Sequence, residues 1–365
     1  MMRTVVIGGF GNFGSRICRT LAADPGIHVV ATGRNPDTGR SDPKVQGARL
    51  DLQSPDFTTD LKKLSPELVI HCAGPFQAQD YRVPQAAISA GAHYIDLADG
   101  REFVARFAEQ FDVKAREAGL FMTSGASTVP ALSSAVIDDL RGRFRQIEEI
   151  QIAIAPGQRA PRGTATIAGV FSYAGKSFRW MRDGAWRDVW GWQKLIQIRF
   201  AGLGVRWAAA CDIPDLELFP SRYPGVKTVE FHAALELGIQ HAALWIVAAL
   251  RRAGLPLPIE RAAPLMNRAT SLLDLFGSDK GGMLVSLTGT RVDGTRGRVE
   301  WHLTAVENHG PEIPCMSAIL LARKLAGGEI TARGAYPCMG FLNLQEFAPQ
   351  FAQWCVSTAI EERAV

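Results

Sequence analysis

The chain has 365 residues, of which 47% are apolar and 21% charged, a length beyond what one hydrophobic core usually serves and a composition that excludes disorder and a multi-span membrane protein. Forty Lys and Arg against 36 Asp and Glu leave a net charge of +4, with no dense basic block, which excludes nucleic acid as a partner. Six widely spread cysteines without a C-x-x-C spacing, and a start that runs directly into a strand-like segment without a signal-peptide pattern, point to reduced thiols and a cytoplasmic protein.

In chain order, RTVVIGG (3–9) reads as a strand, followed by a helix from Asn12 to about Ala23. Further strands are expected at 27–33, 48–52, 67–74, 93–98 and 119–125, with helices at 83–91 and 101–119 between them. Strands alternating with helices mean a parallel sheet with right-handed crossovers. Beyond about residue 130 the pattern changes. Segments 147–157, 194–200 and 227–233 are strand-like, and 282–307 reads as a long hairpin turning at Asp293-Gly294, a device of antiparallel or mixed sheets. The expected fold is therefore α/β, a doubly wound parallel sheet over 1–130 followed by an α+β domain over 131–317 with a mixed or antiparallel sheet. The tail, helical over 320–328 and 344–362, is expected to complete the first domain as residues 318–365.

The segment 231–252 is rich in apolar residues, but Glu236, Gln240 and two histidines interrupt it. Its uninterrupted part, Ala242–Leu250, is about half of the roughly 20 residues that a span needs. A buried core helix is expected and a transmembrane span is not; peripheral membrane contact and a dimer interface stay open.

VVIGGFGNFGSRICRTLA places Gly9-x-Gly11-x-x-Gly14 after a strand and at the start of a helix. Glycine permits the tight turn, lets backbone N–H groups approach a pyrophosphate and allows helix and strand to pack closely, while the helix N-terminus favours the negative charge. That context predicts a Rossmann dinucleotide site over Gly8, Gly9, Phe10, Gly11, Asn12, Phe13 and Gly14. An acidic residue at the end of the second strand would select NAD; this chain has Thr32-Gly33-Arg34-Asn35, whose donors suit the 2′-phosphate of NADP, with Arg40 and Lys44 in reserve. Asp51 either accepts from the adenine amine or makes a turn. At Cys72-Ala73-Gly74-Pro75-Phe76 small residues let the backbone pass close to the cofactor, and Pro75 forces the chain out of the sheet.

These residues carry a resemblance. VIHCAGPFQAQDYRVPQAAISAGAHYIDLADG (69–100) resembles the saccharopine dehydrogenase-like family, as do GGFGNFG, PDLELFPSRYPGV (214–226), GPEIP (310–314) and GAYPCMG (334–340). The resemblance implies a Rossmann domain joined to an α+β domain that provides the substrate site and often a dimer interface, with NAD(P) between them. The saccharopine reductases carry Asp-Pro-Gly after the last Rossmann strand; this chain has Ser124-Gly125-Ala126-Ser127-Thr128-Val129-Pro130. Many members have Gly-Glu after Tyr-x-Asp, where Asp99-Gly100 stands here.

For proton transfer the candidates are Tyr94, Asp96 and Asp99, at or beyond a strand's carboxyl end, each with a structural alternative. Cys72 is expected to fill space, and His71 and His93 to be core histidines. RWMRDGAWRDVWGWQ (179–193) is read as a hairpin burying its tryptophans in preference to a lid. CDIPDLELFPSRYPGV is read as a long ordered loop, with Arg222 a candidate anchor for a substrate carboxylate. No metal-ligand spacing is present. The expected activity is NADP-dependent hydride transfer to a C=N, C=O or activated C=C bond of a small molecule, by a homodimer. A non-catalytic NADPH-binding structural or sensor protein is the alternative, and an NAD-recycling synthase of the homospermidine type a third reading.

Overall fold

The computed structural model of the chain describes residues 1–36, 43–77 and 79–365, and of residues 260 and 261 the backbone alone. Arg40 therefore lies outside the described residues. The first 132 residues form β1 (Met2–Ile7), α1 (Gly14–Leu21), β2 (Ile27–Gly33), β3 (Gln46–Arg49), α2 (Phe57–Lys63), β4 (Leu68–His71), α3 (Arg82–Ser89), β5 (His93–Asp96), α4 (Arg101–Ala105), α5 (Phe107–Glu117) and β6 (Phe121–Ser124). There follow α6 (Ser133–Leu140), β7 (Phe144–Ala155), α7 (Thr164–Tyr173), β8 (Ser177–Arg182), β9 (Ala185–Trp190), β10 (Ile196–Phe200), β11 (Gly204–Ala210), α8 (Asp215–Arg222), β12 (Thr228–Ala234), α9 (Gly238–Arg252), α10 (Ala263–Ser271), β13 (Gly281–Arg291) and β14 (Arg296–Ala305). The chain closes with α11 (Ile313–Ala326), β15 (Gly334–Pro337), α12 (Ala348–Gln353) and β16 (Val356–Ala364).

Two compact units result, one of Met1–Leu132 with Glu312–Leu342, the other of Ser133–Pro311 with Asn343–Val365. In the first, a seven-stranded sheet runs β3-β2-β1-β4-β5-β6-β15, every pairing parallel. Its central strands are continuous apolar runs, as burial on both faces requires; Val5, Val6, Leu68, Val69 and Ile70 are all fully buried. β15, from the Gly-Ala-Tyr-Pro segment, adds to the edge of β6, and α11 lies against α1, where the buried Glu312 pairs with Arg16 and Arg19.

The second unit holds a mixed nine-stranded sheet in the order β10-β11-β12-β7-β13-β14-β16, with β8 pairing β12 and β9 pairing β8. β12 runs parallel to β7 and the other pairings are antiparallel. Residues opposite one another share a side of the sheet: Phe231, Ile152, Val285 and Trp301 form one buried row across four strands.

The tail corrects two expectations. Residues 356–362, expected to be helical, belong to a strand, because Val-Ser-Thr-Ala-Ile and the residues after it pair along β14 from Gly297 to Ala305. That pairing places 343–365 in the second unit instead of the first. The Pro-rich 211–226 segment is likewise no long loop: Pro214 leads into α8, whose first turn carries Asp215 and Glu217, charges that favour a helix start.

Candidate functional site

In an open α/β sheet, ligands bind where strand order reverses, outside the carboxyl ends of the strands. Here the reversal lies between β1 and β4. At that point a Cβ added to Gly8, whose φ is +78°, would stand 3.0 Å from the backbone nitrogen of Ala73. The two strand ends are therefore flush, and a tight turn that needs positive φ begins there.

The glycines of the turn divide by what surrounds them. A Cβ at Gly14 would come 2.2 Å from the Gly8 carbonyl oxygen, and one at Gly9 2.8 Å from Cα and Cβ of Ala31. These two serve the packing of helix on strand. Gly11 is different: it is exposed, and its Cβ would meet only the Gly8 oxygen, at 3.1 Å. Open space over Gly11 at the start of an eight-residue helix is the cradle a pyrophosphate requires, so a dinucleotide fits the residues present.

Around this turn the expected site residues take distinct positions. Thr32 is fully buried; its hydroxyl donates to the Val6 carbonyl (3.1 Å) and its own carbonyl accepts from Gly8 (3.1 Å) and Gly9 (3.0 Å). It shapes the turn, and its hydroxyl is not a donor for a cofactor. Arg34 and Asn35 follow the end of β2 and are exposed. Asp51 accepts from the Gln53 N–H (3.0 Å), the turn-making alternative. Cys72 and Ala73-Gly74-Pro75 line the exit of β4, with Pro75 exposed and its peptide bond to Gly74 cis. Burial pushes the Cys72 thiol well above its usual range, which agrees with packing in preference to reaction.

Gln79 escaped the sequence reading. Its amide donates to the carbonyls of Ala73 (2.6 Å) and Pro75 (3.0 Å), while its Oε1 lies 3.0 Å from His71 Nε2. Since both amide hydrogens are used on carbonyls, Oε1 accepts and His71 carries its proton on Nε2. Burial holds the His71 pKa down at about 4, so the ring stays neutral. The side chain thus fixes the 73–75 loop against the end of β4. Only the fold brings its two targets within its reach.

The three proton-transfer candidates separate by accessibility. Tyr94 is fully buried and stacks on Phe107 at 5.7 Å, so it does not reach a bound molecule. Asp96 is also fully buried; its Oδ1 accepts from Gly125 N (2.8 Å), Ala98 N (2.9 Å) and Ser124 Oγ (3.0 Å). It ties the exit of β5 to the exit of β6, although burial raises its pKa to about 6. Asp99 is the exposed member. Desolvation raises its pKa, opposed by a hydrogen bond from Gln77 Nε2 (3.0 Å).

In the second unit, Arg222 ends α8 with its guanidinium on Asp138 and its Nε 3.2 Å from the Tyr223 hydroxyl. Its charge is balanced internally, which corrects its expected role as a carboxylate anchor. The Trp-rich segment is the β8–β9 hairpin, turning at Asp183-Gly184. Trp180 and Trp192 are buried, against His232 and His241 respectively.

A parallel sheet in the order 3-2-1-4-5-6, with a glycine turn opening a helix at its switch point, defines a dinucleotide-binding Rossmann domain. Residues 4–138 match the family described as the saccharopine dehydrogenase NADP binding domain. No curated protein matches the chain in sequence. Among solved structures it is similar to the apo saccharopine dehydrogenase (L-Glu forming) of Saccharomyces cerevisiae, at TM-score 0.68 and 13% identity over 100% of both chains. It is also similar to the homospermidine synthase of Legionella pneumophila in complex with NAD, at TM-score 0.60 and 10% identity over 99% of this chain and 91% of that one.

Proposed function

We propose that the chain is an NADP-dependent oxidoreductase acting on a C=N, C=O or activated C=C bond of a small molecule. The observation that carries this reading is the open cradle at Gly11 followed, at the end of β2, by Arg34 where an NAD-selecting carboxylate would stand. Backbone N–H groups of the turn and the start of α1 hold the pyrophosphate, and Arg34 and Asn35 hold the 2′-phosphate through charge-assisted bonds. The small residues Ala73 and Gly74 let the backbone lie against the cofactor. NADPH, when bound, supplies the hydride. Asp99, the exposed candidate beyond the end of β5, holds the proton, and desolvation favours its acid form.

The test is to incubate the pure protein with NADPH and pools of imines, ketones and enoyl thioesters, following cofactor absorbance. Oxidation in one pool is expected. NADPH binding without oxidation in any pool would favour the non-catalytic reading instead.

A further inference from the structure

We propose that the exposed apolar side chains of α9, α10 and the turn after α10 dock on an anionic lipid surface. Of nineteen large apolar side chains exposed among the described residues, ten lie within 239–276. Surface apolar residues normally occur singly, and a concentration of this kind marks an interaction site. Helix α9 turns His241, Leu244 and Ala248 into the fold, and its outward side carries Ile239, Ile246 and Leu250, 40 to 73% exposed. No charged residue occurs between Gly238 and Leu250. This is the reverse of a surface helix in a protein surrounded only by water.

The turn after α10 is built to hold its apolar tips outward. Asp274 accepts from Gln158 Nε2 (2.8 Å) and Arg162 Nη2 (2.8 Å), and its carbonyl accepts from Arg159 Nε (3.0 Å). Gln158 is 5% exposed, whereas Leu272, Leu275 and Phe276 are 76 to 84% exposed. A polar clamp centred on the buried Gln158 thus fixes a segment whose apolar side chains project from the surface. Projecting tips enter a fluid acyl layer at any position, whereas a protein partner has to offer matched pockets.

The charge around the patch is complementary to anionic headgroups. Among the described side chains, segment 239–276 carries three arginines, Arg251, Arg252 and Arg268, against one acid, Asp274. Asp274 is already paired with Arg162, and Arg252 and Arg268 are exposed. Basic residues beside an apolar face are the pattern of peripheral membrane binding. No described helix is long and apolar enough to cross a membrane, so the contact is with the surface.

The test is co-sedimentation of the full chain with vesicles of phosphatidylcholine, alone and mixed with phosphatidylglycerol. Binding is expected to the mixed vesicles, weaker to the neutral ones and weakened by salt. Each buried Leu or Phe side chain is worth roughly tenfold or more in partitioning, so the double variant Leu275→Asp, Phe276→Asp should lose binding by about a hundredfold. Val205→Asp, at an exposed apolar site on β11, should bind as the parent does; both variants replace exposed side chains, and circular dichroism confirms their folding. No binding to mixed vesicles, or binding that the double variant retains, overturns the proposal. So does sedimentation equilibrium that finds a dimer abolished by the double variant without vesicle binding, which would assign the face to a second copy. The readout needs no turnover, so its failure is separate from that of the oxidoreductase reading.

Discussion

Replacing Gly11 or Gly14 by alanine separates the two demands placed on one turn. At Gly14 the new methyl would stand 2.2 Å from the Gly8 oxygen and 2.8 Å from Gly9 Cα. Both obstacles are backbone, so helix and strand must part. At Gly11 the methyl meets only the Gly8 oxygen at 3.1 Å, and φ is outside the left-handed region. A shift of a few tenths of an ångström accommodates it, and a compatible Gly→Ala change alters stability by no more than about 1 kcal/mol. The same methyl occupies the space over the turn where the pyrophosphate has to approach. Overpacking at a close contact costs about 1 to 3 kcal/mol, which corresponds to roughly a 5- to 150-fold loss of affinity. Thermal melts and NADPH titrations on both variants give the readout. Gly11→Ala should melt with the parent and bind NADPH at least about fivefold more weakly; Gly14→Ala should lose melting temperature and binding together. Parental affinity in Gly11→Ala would refute the placement of the pyrophosphate.

Other consequences concern Gln79, Asp99 and Asp215. Gln79→Ala leaves the Ala73 and Pro75 carbonyls and His71 Nε2 without their partner; at about 1 to 3 kcal/mol for such groups, NADPH titration should show about a tenfold or greater loss. Asp99→Asn should lower kcat about 10²- to 10⁴-fold with NADPH affinity retained. Because the acid form donates, kcat of the parent should fall as pH rises through the raised Asp99 pKa, and this limb should be missing from the variant's profile. Asp215 is fully buried and accepts from the Ser133 hydroxyl, and burial pushes its carboxyl up to about 7. Between its ordinary value of 3.8 and about 7 the folded state holds a proton that the unfolded chain has released, so stability falls as pH rises through this window. The slope is about 1.4 kcal/mol per pH unit. Neutral histidines such as His71, held at about 4, act in the opposite sense but are common to parent and variant. Denaturant unfolding of Asp215→Asn at pH 5 and pH 8 should therefore show its advantage over the parent growing with pH; a constant difference would contradict the buried carboxyl.

Where a feature was local in the sequence, it was legible. Gly9-x-Gly11-x-x-Gly14 sits in a turn whose purpose is fixed by the strand before it and the helix after it, and the 282–307 hairpin is fixed by its own Asp293-Gly294 turn and the register from Gly281 to Ala305. Where the deciding partner was distant, the reading failed. Val356–Ala364 carries glutamates and an arginine that suit a helix as well as a strand, and β14, some fifty residues earlier, makes it a strand. β15 has four residues and exists because β6 offers an edge. The site shows the same division: Gly74 and Pro75 announced the end of β4, but Gln79, which fixes that end, resembles any polar loop residue. Tyr94 and Asp96 were plausible acids by position along β5, and only the packing of α5 and the three donors around Asp96 reveal them as parts of the scaffold.

The central claim, a dinucleotide site that selects the 2′-phosphate through Arg34, is tested most directly by titrating NADPH and NADH against the parent and Arg34→Ala. A charge-assisted bond is worth about 1.5 to 3 kcal/mol, so the parent should bind NADPH about tenfold or more tightly than NADH, and the variant should lose that preference while keeping its NADH affinity. Equal affinities in the parent, or a preference for NADPH that Arg34→Ala leaves intact, would contradict it.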